Sequence, residues 1–252
     1  MTQSLSPEEI ARFGADPQET FARNHAGLRA RIEAAAARAG RDPAPIRLLA
    51  VSKTVPAHVL RAALAAGIAD FGENKVQEGL EKSAELAGAS IRWSVIGHLQ
   101  SNKINQMLRF AHEFHALDSL KLAEALDKRL EAEGRDLEVL VQVNTSGEES
   151  KFGLPPEALP EFLAALPRFA RLKPKGLMTL AALTEDEARI RDCFRLLRRL
   201  RDEAAGVHPE IRELSMGMSG DFEAAVEEGA TILRVGSALF GARSYGPPIT
   251  PA

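Results

Sequence analysis

Eight times along this chain a short apolar run closes on or beside a polar residue and gives way to a helical pattern, and that repetition constrains the fold more than any other feature. The runs cover residues 48–51, 68–71, 93–96, 113–116, 139–143, 176–179, 212–215 and 232–235. Helical patterns lie between them near 56–66, 73–87, 101–110, 119–133, 156–166, 185–204 and 220–228. Strand–helix alternation implies right-handed crossovers and a parallel sheet covered by helices. Eight such units in 252 residues predict an α/β chain folded as a single (β/α)8 TIM barrel, with a doubly wound open sheet as the second topology.

The segments outside the repeat are read as additions to that barrel. Phe21, Leu28, Ile32, Ala35 and Ala36 share one face of a helix over about 20–39, which predicts packing on the barrel exterior. The expected organisation is a helical leader over 1–45, the barrel over 46–243 and a mobile Pro-rich tail over 244–252. Thr184 and Glu187 read as a capping box that opens a helix with Ile190, Cys193, Phe194, Leu197 and Leu200 inward. Arginines 189, 191, 195, 198, 199 and 201 fill its other face; interspersed Asp192, Asp202 and Glu203 favour a solvated face over a phosphate-polymer site. Cys193 is the single cysteine, so an intramolecular disulfide and a multi-cysteine metal site are excluded, and it reads as a small buried hydrophobe. Thirty-two basic against 35 acidic residues give a net charge of −3, which offers no global attraction to nucleic acid or membrane. No stretch approaches the ~20 apolar residues of a membrane span, and the first residues lack the pattern of a secretory signal. A soluble, cytoplasmic protein is expected.

In a barrel the C-terminal ends of the strands build the active site. Residues at those exits are Ser52 and Lys53, Glu73 and Asn74, His98, Asp118, Asn144, Met178, Ser215, and Arg234 with Gly236 and Ser237. Asp118 and Asn144 fit loop caps better than chemistry. Lys53 and Arg234 sit at or just past an apolar run, where a long cation reaches the barrel mouth. A lysine partly desolvated beside another cation loses some preference for its protonated form and becomes a Schiff-base candidate; a snorkelling surface lysine is the alternative. The segments 215–220 (Ser-Met-Gly-Met-Ser-Gly) and 235–238 follow the seventh and eighth runs, where barrels commonly place a phosphate site. Other motifs fail. His112-Glu113-Phe114-His115 lacks the zinc-protease spacing, Gly236 to Gly241 lacks the Lys-Ser/Thr of a P-loop, and neither a nucleophile elbow nor a dinucleotide fingerprint is present.

Taken together the segments resemble one family, the YggS/PROSC pyridoxal-phosphate homeostasis proteins. The resemblance runs through Ala50-Val51-Ser52-Lys53-Thr54, Phe71-Gly72-Glu73-Asn74 with Val76-Gln77-Glu78, and residues 96–103 (Ile-Gly-His-Leu-Gln-Ser-Asn-Lys). It continues in Val143-Asn144, Ser150-Lys151-Phe152-Gly153, Gly176-Leu177-Met178, residues 214–219, and 234–236 through 239–241. It implies a fold-type III barrel similar to the N-terminal domain of alanine racemase, without that enzyme's β-rich second domain. It further implies pyridoxal 5′-phosphate held on Lys53 as an internal aldimine. Ser215 with Gly236 and Ser237 would hold the phosphate, Arg234 would face the pyridine nitrogen, and Asn74 and Met216 would line the pocket. Lys151 falls at a family lysine associated with transient cofactor contact. Lys175 and Ser237 stand where relatives often carry arginine and threonine, and both keep the charge or the hydroxyl.

The expected function is cofactor buffering and delivery, with PLP-dependent apoenzymes as acceptors, no catalytic residue, no metal site and a monomeric chain. An arginine lacks the acceptor that a protonated ring nitrogen needs, so transamination is disfavoured. Racemisation also requires a second base, and the one tyrosine, Tyr245, lies in the tail. A weak amino-acid racemase is the alternative, and a Schiff-base aldolase without cofactor is a more distant one. Glu73, His98 and Asn144 are left open between ligand binding and loop hydrogen bonding.

Overall fold

Short strands buried on both faces need helices outside and a filled interior, and the chain supplies both. The computed structural model describes residues 4–242. Its strands are β1 (Arg47–Val51), β2 (Asp70–Glu73), β3 (Arg92–Val95), β4 (Glu113–Leu117), β5 (Leu137–Gln142), β6 (Leu172–Met178), β7 (Glu213–Ser215) and β8 (Ile232–Val235). They form a closed barrel in chain order, every neighbouring pair parallel, with β8 returning to β1 through the pairs Leu49–Arg234 and Ala50–Val235. The single-barrel expectation therefore holds, and the open sheet is excluded.

The helices are α1 (Pro7–Phe13), α2 (Pro17–Arg38), α3 (Ala57–Ala65), α4 (Val76–Glu85), α5 (Ile104–Leu108), α6 (Leu120–Glu133), α7 (Leu159–Ala165), α8 (Glu187–Ala205), α9 (Phe222–Glu227) and α10 (Ser237–Phe240). The leader contains two helices. Ser6 and Glu9 cap α1 reciprocally, and Asp16 caps α2. Helix α2 buries Phe21, Leu28, Ile32, Ala35 and Ala36, the five residues its sequence pattern puts on one face. It packs on α3, α9 and α10, and Phe21 meets Phe13 and Phe240 edge-on at ring distances of 6.1 and 5.2 Å. Each such buried phenylalanine contributes about 1.5–3 kcal/mol of burial free energy.

Several boundaries differ from the sequence reading, and two of them have a local cause. The capping box at Thr184 does not form: α8 starts at Glu187 with Asp186 as its cap, and Thr184 Oγ1 instead accepts from the Asp186 amide at 3.1 Å. A carboxylate next to the first turn accepts from both Ala188 and Arg189, which displaces the more distant hydroxyl. Strand β2 begins at Asp70, because the Ile68 amide is used by Ala63 to close α3. On α8, Cys193, Phe194 and Leu197 are buried, while Arg191, Arg195 and Arg198 pair outward with Glu227 and Glu228 on and after α9. Tyr245 and the Pro-rich tail lie outside the described residues.

Candidate functional site

The strand exits surround a cavity of about 670 Å³ at the C-terminal end of the barrel. Its wall includes Lys53, Asn74, Arg234, Gly236 and Ser237 from the expected set, together with His98 and Lys151.

Lys53 follows β1 by two residues, in a turn closed by the Val55 amide donating to Ser52 O at 2.9 Å. The next residue, Thr54, has φ +65°, the sole non-glycine residue described with a positive φ. A β-branched residue in that region is strained by roughly 1–3 kcal/mol and persists only when its surroundings over-determine it. Here they do. Arg12 of α1 donates to Thr54 O at 2.9 Å and to Thr54 Oγ1 at 3.2 Å, and Glu78 of α4 accepts from the Thr54 amide. On the other side of Lys53, the buried ammonium of Lys82 donates at 2.7 Å to Ser52 O, Glu73 Oε1 and Glu78 Oε1. Ser52 Oγ also donates to Glu73 Oε1, at 2.6 Å. Burial pushes the Glu73 carboxyl up, with Lys82 opposing. Glu73 Oε1 thus ties Ser52 to Lys82 beside the Lys53 turn, while its Oε2 is buried without a hydrogen-bond partner among the described residues.

Asn74, exposed on the cavity wall, is held by a close backbone approach: a Cβ on Gly97 would lie 2.3 Å from Asn74 O. His98 lines the mouth, stacked on Phe152 at 4.0 Å, with Nδ1 3.6 Å from Asp118 Oδ2. Asn144 stays in its loop, donating to Glu148 O and Lys151 O and accepting from Ser146. The Lys151 ammonium donates to Glu148 Oε1 at 3.0 Å and Ala181 O at 2.6 Å.

Arg234 is nearly fully buried yet reaches the cavity. Its guanidinium donates to Ser215 Oγ at 2.8 Å and to Thr179 O at 2.7 Å, both neutral oxygens. Burial, only partly offset by Asp221, pushes its pKa down to about 10, so it remains a cation at neutral pH. A buried cation with neutral acceptors favours an electron-rich group in the cavity beside it.

Ser215 and Met216 depart from their expected roles. Ser215 is fully buried, off the cavity wall, and its hydroxyl is engaged by Arg234 and by His115 Nδ1 at 3.1 Å. Met216 is fully buried and likewise off the wall. The cause is local: β7 ends at Ser215, and Gly217, at φ +90°, turns the chain so that the rim is reached only at Met218, Ser219 and Gly220. A Cβ on Gly217 would come 2.6 Å from Ala225 Cβ, so the turn requires glycine.

Ser219 belongs to the Gly-rich segment expected to hold phosphate but was not singled out by the sequence. Its Oγ accepts from the amides of Gly236 and Ala238 at 3.2 and 3.3 Å, so two backbone donors at the start of α10 already converge on one oxygen at the cavity wall. The available signal was its place at the far end of the Gly-rich turn. Arg12 and Lys82 carried no comparable signal, since Arg12 acts from the leader and Lys82 is a charged residue on the buried face of α4. Among the described residues no cluster of three or more His, Cys, Asp or Glu could hold a metal ion, and no helix is long and apolar enough to cross a membrane.

The donor set fits a small phosphorylated carbonyl compound: a primary amine, a buried donor-only cation and an amide pair that gathers oxygen. Comparison with known proteins points the same way. The domain family described as "Alanine racemase, N-terminal domain" matches residues 24–244. A Pseudomonas aeruginosa protein named "Pyridoxal phosphate homeostasis protein" is 47% identical over 229 residues, covering 91% of this chain and 98% of that one. The Escherichia coli protein of the same name is 42% identical, covering 89% and 97%. The solved structure of PipY from Synechococcus elongatus with PLP bound is 36% identical, with a TM-score of 0.77 and coverage of 88% of this chain and all of that one.

Proposed function

The chain belongs to the family of pyridoxal phosphate homeostasis proteins, and from that membership we propose that it binds pyridoxal 5′-phosphate at Lys53 and buffers or delivers it without substantial turnover. The observation that carries the reading is the convergence of Lys53, Arg234, Ser219 and Gly236 on one cavity, with the Gly236 and Ala238 amides gathered on Ser219 Oγ. When bound, the cofactor supplies an aldehyde that a lysine amine captures reversibly, which suits a carrier.

Lys53 would provide that amine, held by a turn clamped from both flanks. The Gly236 and Ala238 amides with Ser219 and Ser237 would hold the phosphate; Ser215 would act behind Arg234. Arg234 would face the ring nitrogen as a donor without an acceptor and discourage its protonation, so strong electron-sink chemistry is not supported. Asn74 would border the ring. PLP-dependent apoenzymes are the proposed recipients, a monomer in the cytoplasm the proposed working state.

A visible spectrum of the purified protein, then borohydride reduction and peptide mapping, tests this. A yellow protein with the reduced adduct on Lys53, lost in Lys53→Ala, is expected. Undiminished, spectroscopically normal binding by Lys53→Ala would overturn the site, and a protein that stays colourless with added cofactor would overturn the function.

A residual racemase activity is the second reading, favoured by the His98–Asp118 pair at the cavity mouth, which has the composition of an oriented acid/base. Solvent deuterium incorporation at the α-carbon of amino acids, lost in His98→Gln, would support it; no incorporation would remove it.

A further inference from the structure

Glu113 and His115 are two residues apart on β4, so the strand turns both side chains to the same face. That face is the barrel interior, because His115 reaches Ser215 on β7, which is not a sheet neighbour of β4. Two residues of the rejected zinc motif thereby become the middle of a polar column. Arg47 donates to Glu113 Oε1 and Oε2 at 2.8 and 2.6 Å, and Ser94 Oγ donates to Glu113 Oε2 at 2.8 Å. His115 Nε2 lies 3.2 Å from Glu113 Oε2, its Nδ1 lies 3.1 Å from Ser215 Oγ, and Arg234 donates to that same hydroxyl oxygen at 2.8 Å.

Proton positions along this column follow from valence. Burial raises the Glu113 pKa, but hydrogen bonds from His115, Arg47 and Arg92 outweigh it and hold the carboxyl well below its usual range. Glu113 therefore only accepts, and His115 Nε2 must carry a proton. Burial, against the pull of Glu113, pushes the His115 pKa down, so the ring is neutral and Nδ1 presents a lone pair. The Ser215 hydroxyl proton is then directed at Nδ1. Its oxygen lone pairs are left to accept from Arg234, which can only donate and makes no other side-chain hydrogen bond to β7 among the described residues.

Building on the cofactor reading above, we propose that His115 is a positioning residue: acting through the Ser215 hydroxyl, with its tautomer set by Glu113, it fixes the guanidinium of Arg234 against the ring nitrogen of bound pyridoxal 5′-phosphate. Without the imidazole the hydroxyl rotates freely, Ser215 ceases to be an obligate acceptor, and Arg234 gains alternative orientations.

The first test needs no variant and no cofactor. In protein carrying ¹⁵N-histidine at neutral pH, the His115 ring is expected to show a pyridine-like Nδ1 and a pyrrole-like Nε2; an imidazolium, or the reverse tautomer, overturns the proposal. The second test compares His115→Asn, Ser215→Ala and the double variant after reconstitution. Loss of one net hydrogen bond predicts about fivefold weaker cofactor retention in His115→Asn, with a shifted visible band. The double variant should be no worse than Ser215→Ala, since one acts through the other. Leu126→Ala, a core truncation on α6, should lower stability yet leave band and retention unchanged. Additive effects, or a wild-type band and retention in His115→Asn, overturn the proposal while leaving the cofactor reading intact. A wild-type chain that gains no colour overturns both.

Discussion

The two ends of the barrel treat charge in opposite ways. At the N-terminal end the first residues of β1 to β4 are Arg47, Asp70, Arg92 and Glu113, and they interlock: Arg47 with Asp70 and Glu113, Arg92 with Glu113 and with Glu138 of β5. Asp136 and Glu138 extend the lattice to Arg171, Lys173 and Lys175 at 3.4–3.5 Å. At the C-terminal end Arg234 donates only to neutral oxygens, Thr54 is strained, and the rim is built from turns such as Gly217. The first end is complete without a ligand. The second holds a buried cation whose hydrogen-bond acceptors are neutral, and on the proposed function its local arrangement would answer to binding rather than to stability.

The hardest way to break that contrast is Glu113→Gln. Removing the carboxylate that Arg47, Arg92 and His115 share should cost about 3 kcal/mol, measured by urea unfolding of cofactor-free protein. The same group sets an acid limit. Its folded pKa lies below the ordinary 4.5, so its stabilisation is complete above that pH and drains away as pH falls beneath it. A flatter acid limb in Glu113→Gln would verify the assignment.

Arg234→Met should do the reverse. It removes a buried charge without an ionic partner but strands the Ser215 and Thr179 oxygens, so cofactor-free stability should change by less than about 1 kcal/mol. Cofactor affinity should fall at least tenfold, the value of a charged hydrogen bond, as read by equilibrium titration. A large stability loss with unchanged affinity would erase the distinction between the ends.

The two serines sharpen it further. Ser219→Ala should weaken binding of the phosphorylated cofactor about fivefold while barely affecting free pyridoxal, whereas Ser215→Ala should weaken both alike. The smallest effect belongs to an exposed pair within α6: Arg129→Ala, which loses Glu133, should cost no more than about 0.5 kcal/mol by thermal unfolding.

Sequence periodicity made the barrel legible because each strand is buried on both faces and each helix is amphipathic, and both are local patterns. It placed Lys53, Arg234, Asn74, Gly236 and Ser237 around one cavity because a strand exit fixes where a side chain emerges. The resemblance pointed to Ser215, whereas the left-handed turn at Gly217 brings Ser219 to the rim, and composition does not state a dihedral angle. Contacts between distant segments were out of reach for a different reason. Arg12 meets Thr54, and His115 meets Ser215, only once the ring is closed, and neither pairing leaves a trace in the spacing of either segment.

Closure also has a bearing on biogenesis. Lys53 follows the first strand, while Arg234 and the Gly236 amide belong to the last, and they become neighbours only through the β1–β8 seam. On the proposed site, a chain that lacks β8 would carry Lys53 without the groups that would retain the cofactor there. Cofactor that binds the sealed ring alone stabilises that state by mass action. Colour would then mark finished molecules, and truncated or misassembled chains would remain pale and be left to proteolysis.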